Sequence, residues 1–162
     1  MATLTLRVAD EVWIAVALLH REHPDRSDFS IDEIVARAQR ENIHGSLRPG
    51  VYVHTVQHCV ANRPPNPARY RMLLETAPGR RRIFRMGDSY YPGREGGKIT
   101  PVANDMPHGY SSLLSWYAEW CQATAKSEVL RDPLLSLAGS GRHLWAEEHA
   151  DDYVRRLRES WE

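Results

Sequence analysis

The first cluster of apolar positions in the chain predicts a helix. An apolar run occupies residues 12–19 and follows Asp10, whose carboxylate is suited to capping a helix N-terminus. The residue before a proline avoids helical geometry, so this helix should end at His23, which precedes Pro24. A short polar turn then leads to the next element.

The second helix has the clearest start signal in the sequence. Ser30 and Glu33 match the Ser-x-x-Glu capping box, in which each side chain bonds the backbone N–H of the other residue. Apolar residues at positions 31, 34, 35 and 38 give this helix a single apolar stripe. We expect it to end near Asn42, before Gly45.

A third helix should open at residues 48–50, where the Arg-Pro-Gly sequence puts a proline at a position that tolerates its missing N–H. Val53, Val56 and Val60 recur at spacings of three and four, so we expect them to form its buried side. Its polar residues should then face elsewhere; they are His54, Thr55, Gln57, His58 and Asn62. The proline-rich residues 63–67 end the helix.

Two strand-like runs follow the third helix. They cover residues 70–75 and 81–86 and are rich in large apolar side chains and arginine. The connection at residues 76–80 contains Pro78 and Gly79, which favour a turn. We therefore predict a β-hairpin.

The charges are unevenly distributed, although the net charge is zero. Residues 48–98 carry ten Lys or Arg against three Asp or Glu, whereas residues 1–47 and 99–162 are both acidic. A basic middle segment predicts a local anion-binding face. The sequence has no signal-peptide pattern, no apolar run that could span a membrane and only two cysteines. These features indicate a cytoplasmic protein.

The order helix, short extended piece, helix, helix, hairpin resembles the winged-helix variant of helix-turn-helix proteins over residues 7–90. The fold class expected is mainly α with a small β-hairpin (α+β). The resemblance implies that the third helix enters the major groove and that the hairpin wing touches the DNA backbone or minor groove. The residues expected to bind double-stranded DNA are Arg48, Tyr52, His54, Thr55, Gln57, His58, Arg71, Arg80, Arg81 and Arg82.

Beyond the hairpin the chain changes character. Turn residues dominate from position 89 and predict a linker over residues 89–108. Residues 110–125 then have helical spacing, with four apolar side chains on one face: Leu113, Leu114, Tyr117 and Trp120. A last helix should begin near Asp151. We therefore divide the chain into a winged-helix domain at 1–88, the linker, and a helical segment at 109–162.

The tail supports a second resemblance. Its end reads Tyr-Val-x-x-Leu-Arg-x-x-Trp, and a Gly-Ser-Gly break at 139–141 separates two short apolar pieces. This pattern is similar to the C-terminal segments of type II antitoxins of the Phd and VapB kind. The resemblance implies that an isolated helix binds a groove on a toxin. Its contact residues would be Trp145, Tyr153, Arg156, Leu157 and Trp161.

That second resemblance stops at the tail. Phd- and VapB-like antitoxins join such tails to small N-terminal domains of other kinds, which residues 1–88 do not resemble. The same apolar stripe could instead pack on the protein's own core or form a homodimer. These three destinations for the tail stay open from the sequence.

Catalysis and metal binding have weaker signals. His54 and His58 lie four apart and are spaced to chelate a transition metal, but Thr55 stands where the hydrolytic zinc motif needs a glutamate. Cys59 and Cys121 lie among apolar residues and lack the neighbours that activate a thiol. We expect no catalytic residue, no metal and no cofactor.

The sequence thus favours a DNA-binding transcriptional regulator, with an autoregulating, antitoxin-like protein as its more specific form. The partners would be double-stranded DNA, a toxin and a second copy of the chain. The alternative from another class is a non-catalytic winged-helix scaffold in a larger complex. A metal-dependent hydrolase using His54 and His58 is a third hypothesis.

Overall fold

The computed structural model describes residues 6–131, 134, 137 and 150–159. These residues divide after Cys121 into two compact units. Across the described residues, no helix combines the length and apolar character that crossing a membrane requires.

The first half of the first unit consists of helices with one short strand between them. Helix α1 spans Val8–Glu22, strand β1 spans Phe29–Ser30 and helix α2 spans Ile31–Glu41. Helix α3 spans Gly50–Val53 and continues as a π-helical turn over His54–His58.

The hairpin and a long helix complete the element order. Strand β2 spans Leu73–Ala77 and strand β3 spans Arg80–Ile83. Three short 3₁₀ turns follow, and helix α4 spans Ser112–Arg131. The 3₁₀ turns are Pro92–Arg94, Ala103–Asp105 and His108–Tyr110. The predicted α+β class is confirmed, and so is the predicted order of helices and hairpin.

The three strands form one antiparallel sheet in the order β1-β3-β2. Phe29 pairs with Arg81 across β1 and β3, and Leu73 pairs with Ile83 across β2 and β3. The hairpin turn has only two residues between its strands. Its second residue, Gly79, has φ +73°, a backbone conformation that glycine adopts at little cost. The strands are therefore shorter than the sequence predicted, and the turn is tighter.

The local signals at α2 are confirmed. The Ser30 side chain accepts a hydrogen bond from the Glu33 N–H, and the Glu33 carboxylate accepts one from the Ser30 N–H. Asn42 ends the helix in the left-handed conformation, with its N–H bonded to the Ala38 carbonyl. A cap of this kind contributes about 1 kcal/mol to helix stability.

Helix α1 is the centre of the hydrophobic core. Trp13, Ile14 and Val16 are completely buried, against Phe29 from β1 and Leu113 from α4 among others. Further side chains of the predicted apolar face of α4 pack on the same core: Leu114, Tyr117 and Trp120. The sequence left open whether this face packs on the protein's own core. Helix α1 begins at Val8, about one turn before the predicted start. Asp10 consequently lies buried inside the helix instead of capping it.

The buried side of the third helix also differs from the prediction. Val51, Thr55 and Cys59 are buried, whereas Val53 is 45% exposed. Thr55 tolerates burial because its hydroxyl donates to the Val51 carbonyl at 2.8 Å. Of the three valines predicted to be buried, Val60 is completely buried, Val56 is half-buried and Val53 is exposed, so the valine spacing gives the orientation of this helix only in part.

Residues 89–108 pack on the first unit, which is incompatible with the linker that the sequence predicted. The Lys98 ammonium lies 2.8 Å from the buried Asp10 carboxylate, and Met106 joins the hydrophobic core. Gly97 lies so close to the Arg69 carbonyl that a Cβ at this position would be 1.7 Å from its oxygen. The turn-rich composition here produces a tightly fitted segment.

The second unit contains the end of α4 and the last helix, α5, which spans Ala150–Glu159. The predicted start near Asp151 is confirmed. The residues of α5 whose exposure is described all face solvent: Asp151, Asp152, Val154, Arg155, Arg156, Arg158 and Glu159. Trp145, Trp161 and the side chains of Tyr153 and Leu157 lie outside the described part of the structure.

His20 is a buried histidine at the contact between α1, β1 and the first unit's part of α4. Its ring lies against the rings of Phe29 and Trp120, each at 4.9 Å between centroids. Its Nε2 accepts a long hydrogen bond of 3.4 Å from the Ile83 N–H, so this nitrogen carries no proton. Burial, and then the positive charge of Arg82, lower the pKa of His20 to about 4.

This pKa predicts acid sensitivity with a definite pH window. The folded-state pKa lies below the ordinary value of 6.5, so the contribution of neutral His20 is complete above pH 6.5 and is lost as the pH falls toward 4. We expect the free energy of unfolding to drop by about 3 kcal/mol more in the native protein than in His20→Gln. Urea unfolding at several pH values measures this difference, and parallel pH profiles for the two proteins would contradict it.

Candidate nucleic-acid interface

The third helix is a short element held in an unusual geometry. The Cys59 N–H bonds the His54 carbonyl five residues earlier, at 2.9 Å, which gives this turn its π-helical form. The His54 Nδ1 lies 2.9 Å from the Gly50 carbonyl. Such turns insert an extra residue into an α-helix, and they occur frequently at functional sites.

Arg94 fixes the end of this helix to the rest of the unit. Its side chain is fully buried, and its three nitrogens donate to five backbone carbonyls at 2.6 to 3.1 Å. Two acceptors belong to the π-helical turn, two to the proline-rich loop and one to the approach to β2: Gln57, His58, Arg63, Pro64 and Tyr70. A guanidinium has five N–H groups, so this arrangement uses its full donor capacity. The carbonyls at a helix C-terminus carry partial negative charge, which favours a cation there.

The solvent-facing side of the third helix is mainly apolar. Tyr52 is 55% exposed and Val53 is 45% exposed. Val56, one turn later, is half-buried. Residues 52, 53 and 56 share one helical face by their spacing of three and four. The structure therefore presents a phenol and two isopropyl groups where the sequence predicted a polar surface.

Most of the polar residues predicted to contact DNA on this helix have partners within the protein. Thr55 is buried, which removes it from the predicted contact set. The Gln57 amide donates to the Pro64 carbonyl at 2.6 Å. His54 and His58 are half-buried with ring centroids 4.9 Å apart, and burial lowers the pKa of His54 below its ordinary value. Tyr52 alone of the predicted helix residues is largely exposed.

The arginines of the predicted wing form ion pairs. Arg80 Nε donates to the Asp28 carboxylate at 2.7 Å, and this hydrogen bond lowers the pKa of Asp28. Arg82 binds both oxygens of Asp88, each at 2.7 Å. These residues help to fix the hairpin against its surroundings, and their charges are largely neutralised.

Arg81 and Arg48 have structural positions as well. Arg81, which the sequence predicted to contact DNA, is fully buried and donates to the carbonyls of Thr55 and Val56. Burial of Arg81 follows from its place in β3, the central strand, where its side chain extends beneath the third helix. Arg48 Nε binds the buried carboxylate of Glu11 at 2.7 Å. Most of the positive charges of the middle segment are thus buried or paired with groups inside the protein.

A smaller cationic surface remains beside the third helix. Residues 42–74 contain no Asp or Glu. Within the described residues, Arg69 is exposed without an ion pair, and Arg71 contacts the Tyr90 ring at 4.4 Å rather than a carboxylate. Tyr70 lies between them and contacts His54, with 6.1 Å between ring centroids. Sequence reasoning included Arg71 but missed Arg69, Val53 and Arg94, and the acid-free stretch would have indicated Arg69.

The groups considered for catalysis have no reactive arrangement in the described residues. Burial raises the pKa of the Cys59 thiol far above its ordinary value, and burial also raises the pKa of Cys121. A thiol held in its protonated form is a poor nucleophile at neutral pH. His54 and His58 have no third His, Cys, Asp or Glu positioned with them to hold a metal, as far as the described residues extend.

Comparison with protein-family models, curated proteins and solved structures finds no match to this chain.

The Arg94 contacts generate a stability prediction. We expect Arg94→Met to lower the free energy of unfolding by at least about 3 kcal/mol, because it leaves buried carbonyls without donors. Arg69→Met makes the same chemical change at an exposed position and should cost less than about 0.5 kcal/mol. Urea unfolding of both variants tests the assignment, and equal small losses would show that Arg94 is dispensable.

Proposed function

We propose that this protein is a DNA-binding transcriptional regulator whose first unit binds double-stranded DNA through the third helix. The observation that carries the proposal is the order of elements, together with a third helix that is exposed at Tyr52 and Val53 and that contacts the hairpin through Arg81. Winged-helix proteins use this combination of elements to place a helix in the major groove. The function implies a cytoplasmic protein.

The charges around the helix support a polyanionic partner that is bound with moderate affinity. The acid-free residues 42–74 surround the helix with sequence that does not repel phosphates, and Arg69 and Arg71 supply positive charge. Phosphate contacts position a protein on DNA, whereas contacts to base edges determine the sequence bound. With few free arginines, we expect moderate affinity and a shallow salt dependence.

The second unit supports a partner-binding role for the tail. Helix α5 carries acidic residues in its first turn and arginines in its last turns, which complements the helix dipole. Its described side chains are exposed, including Val154. Together with the Tyr-Val-x-x-Leu-Arg-x-x-Trp ending, this favours an antitoxin-like protein that represses its own promoter while it binds a toxin.

A protein-interaction scaffold is the second candidate function. One specific observation favours it: Arg48, Arg80, Arg81 and Arg82 all have partners inside the protein, so the basic middle segment is weaker evidence for DNA than its charge suggested. The exposed Tyr52 and Val53 would then contact a protein. Aromatic residues are enriched in such interfaces.

Substitution of Arg69 distinguishes the two candidates. For a DNA binder, Arg69→Ala should weaken binding to the protein's own upstream promoter and reduce the salt slope of log K by about 1, because one phosphate contact and its released counterions are lost. Arg21→Ala removes the same charge from the exposed last turn of α1 and serves as the matched control. Fluorescence anisotropy at two salt concentrations, with scrambled DNA for comparison, measures both effects.

Two results would contradict the DNA proposal. One is an absence of binding to either DNA at low salt. The other is an equal response of the Arg21 and Arg69 variants, because a general charge effect would then explain the binding. The wing arginines are unsuitable for this test, since changing Arg80, Arg81 or Arg82 breaks contacts that stabilise the fold.

The tail has its own test. We expect the product of the gene adjacent to this one to bind the full chain, and Leu157→Ala to weaken that binding about 30-fold, as for a central interface residue. Glu159→Gln, at an exposed position of the same helix, should leave affinity unchanged. Calorimetric titration measures both affinities. Equal affinities for the native chain and Leu157→Ala would argue against the antitoxin-like role.

A further inference from the structure

The apolar face of the third helix is unusual for an element that contacts DNA. Tyr52, Val53 and Val56 are its solvent-facing residues, and two of the neighbouring polar side chains are engaged elsewhere. Thr55 donates to Val51 and Gln57 donates to Pro64. Rearranging these side chains to reach bases would break hydrogen bonds that are already formed.

The arginines near the third helix also have partners within the protein, which argues against recognition of guanine. Guanine is most often recognised by an arginine that binds its O6 and N7 together. Three arginines contact the third helix or its start: Arg48 binds Glu11, whereas Arg81 and Arg94 bind backbone carbonyls. Each of these guanidinium groups already has partners within the protein.

The major groove offers one apolar group, the C5-methyl of thymine. An isopropyl side chain against this methyl removes apolar surface of both partners from water, which is favourable. A helix of this diameter fits the major groove, and the acid-free sequence around it allows close approach to the phosphates. Thymine methyls are therefore the feature of DNA that this surface matches best.

Resting on the proposed DNA-binding function, we infer that the third helix recognises thymine-containing sites by apolar contact of Val53 and Tyr52 with thymine methyl groups, rather than guanine by arginine. Val53 is the central contact because it is exposed in the middle of the helix. Tyr52 adds a ring beside it and an O–H that can reach a base or phosphate oxygen. The recognised sites are consequently rich in A·T pairs.

Base analogues test this inference directly. A duplex selected on the full-length protein from a random-sequence pool is resynthesised with deoxyuridine in place of thymidine. Deoxyuridine keeps every hydrogen-bond donor and acceptor but lacks the methyl. We expect affinity to fall about fourfold for each contacted methyl, which corresponds to roughly 0.8 kcal/mol per buried carbon. A duplex with 7-deazaguanine, which lacks the N7 acceptor, should bind with unchanged affinity.

Variants then assign the effect to the helix. Val53→Ala should weaken binding to the thymine duplex and reduce the difference between the thymine and deoxyuridine duplexes. Alanine is the strongest helix former, so this change preserves the helix. Met86→Ala truncates another exposed apolar side chain, 78% exposed in a loop after β3, and should leave discrimination intact. Circular dichroism checks that both variants are folded.

The possible failures are distinguishable. Equal binding of the thymine and deoxyuridine duplexes would overturn methyl recognition and leave the DNA-binding function in place. Loss of affinity with 7-deazaguanine, or full discrimination retained in Val53→Ala, would also overturn the inference. If no duplex is enriched from the pool and none is bound, the proposed function itself fails and the apolar face belongs to a protein interface.

Discussion

One buried guanidinium determines the position of the helix on which both functional proposals depend. Arg94 joins the π-helical turn, the proline-rich loop and the approach to β2 through five carbonyl groups. None of these segments has enough regular structure to satisfy its own backbone, and a buried carbonyl without a donor is costly. A side chain from elsewhere, rather than further helical turns, completes the hydrogen bonding of this short helix.

The arginines of this protein illustrate why local charge is an incomplete guide to a binding surface. A sequence shows how many cations a segment carries, but the carboxylates that neutralise them can lie far away along the chain. Arg48 and Glu11 are 37 positions apart, and Arg80 and Asp28 are 52 apart. After these pairs form, the surface near the third helix is only mildly basic. Its distinguishing property is instead a pair of exposed apolar side chains, Tyr52 and Val53, within the stretch 42–74 that contains no Asp or Glu.

Predictions from sequence succeeded where the signal was local. The capping box at Ser30, the proline after His23 and the glycine in the hairpin each determine their structure within a few residues. The orientation of the third helix was predicted only in part because valines occur on two of its faces and the π-helical turn alters the helical phase. The segment after the hairpin failed because its order comes from distant contacts such as Lys98 with Asp10.

The late position of Arg94 in the sequence also affects when the third helix can complete its hydrogen bonds during translation. The guanidinium lies 36 residues after the His58 carbonyl that it binds. Chains are synthesised from the N-terminus at about 5–20 residues per second, so Arg94 is added roughly 2 to 7 seconds after His58. Until then the guanidinium that binds the carbonyls of the third helix is missing. Toward the end of that interval the nascent chain already contains the whole hairpin sequence, yet the hydrogen bonding of the third helix is unfinished. Newly made molecules complete the hydrogen bonding of the third helix late, at a step set by a residue outside that helix.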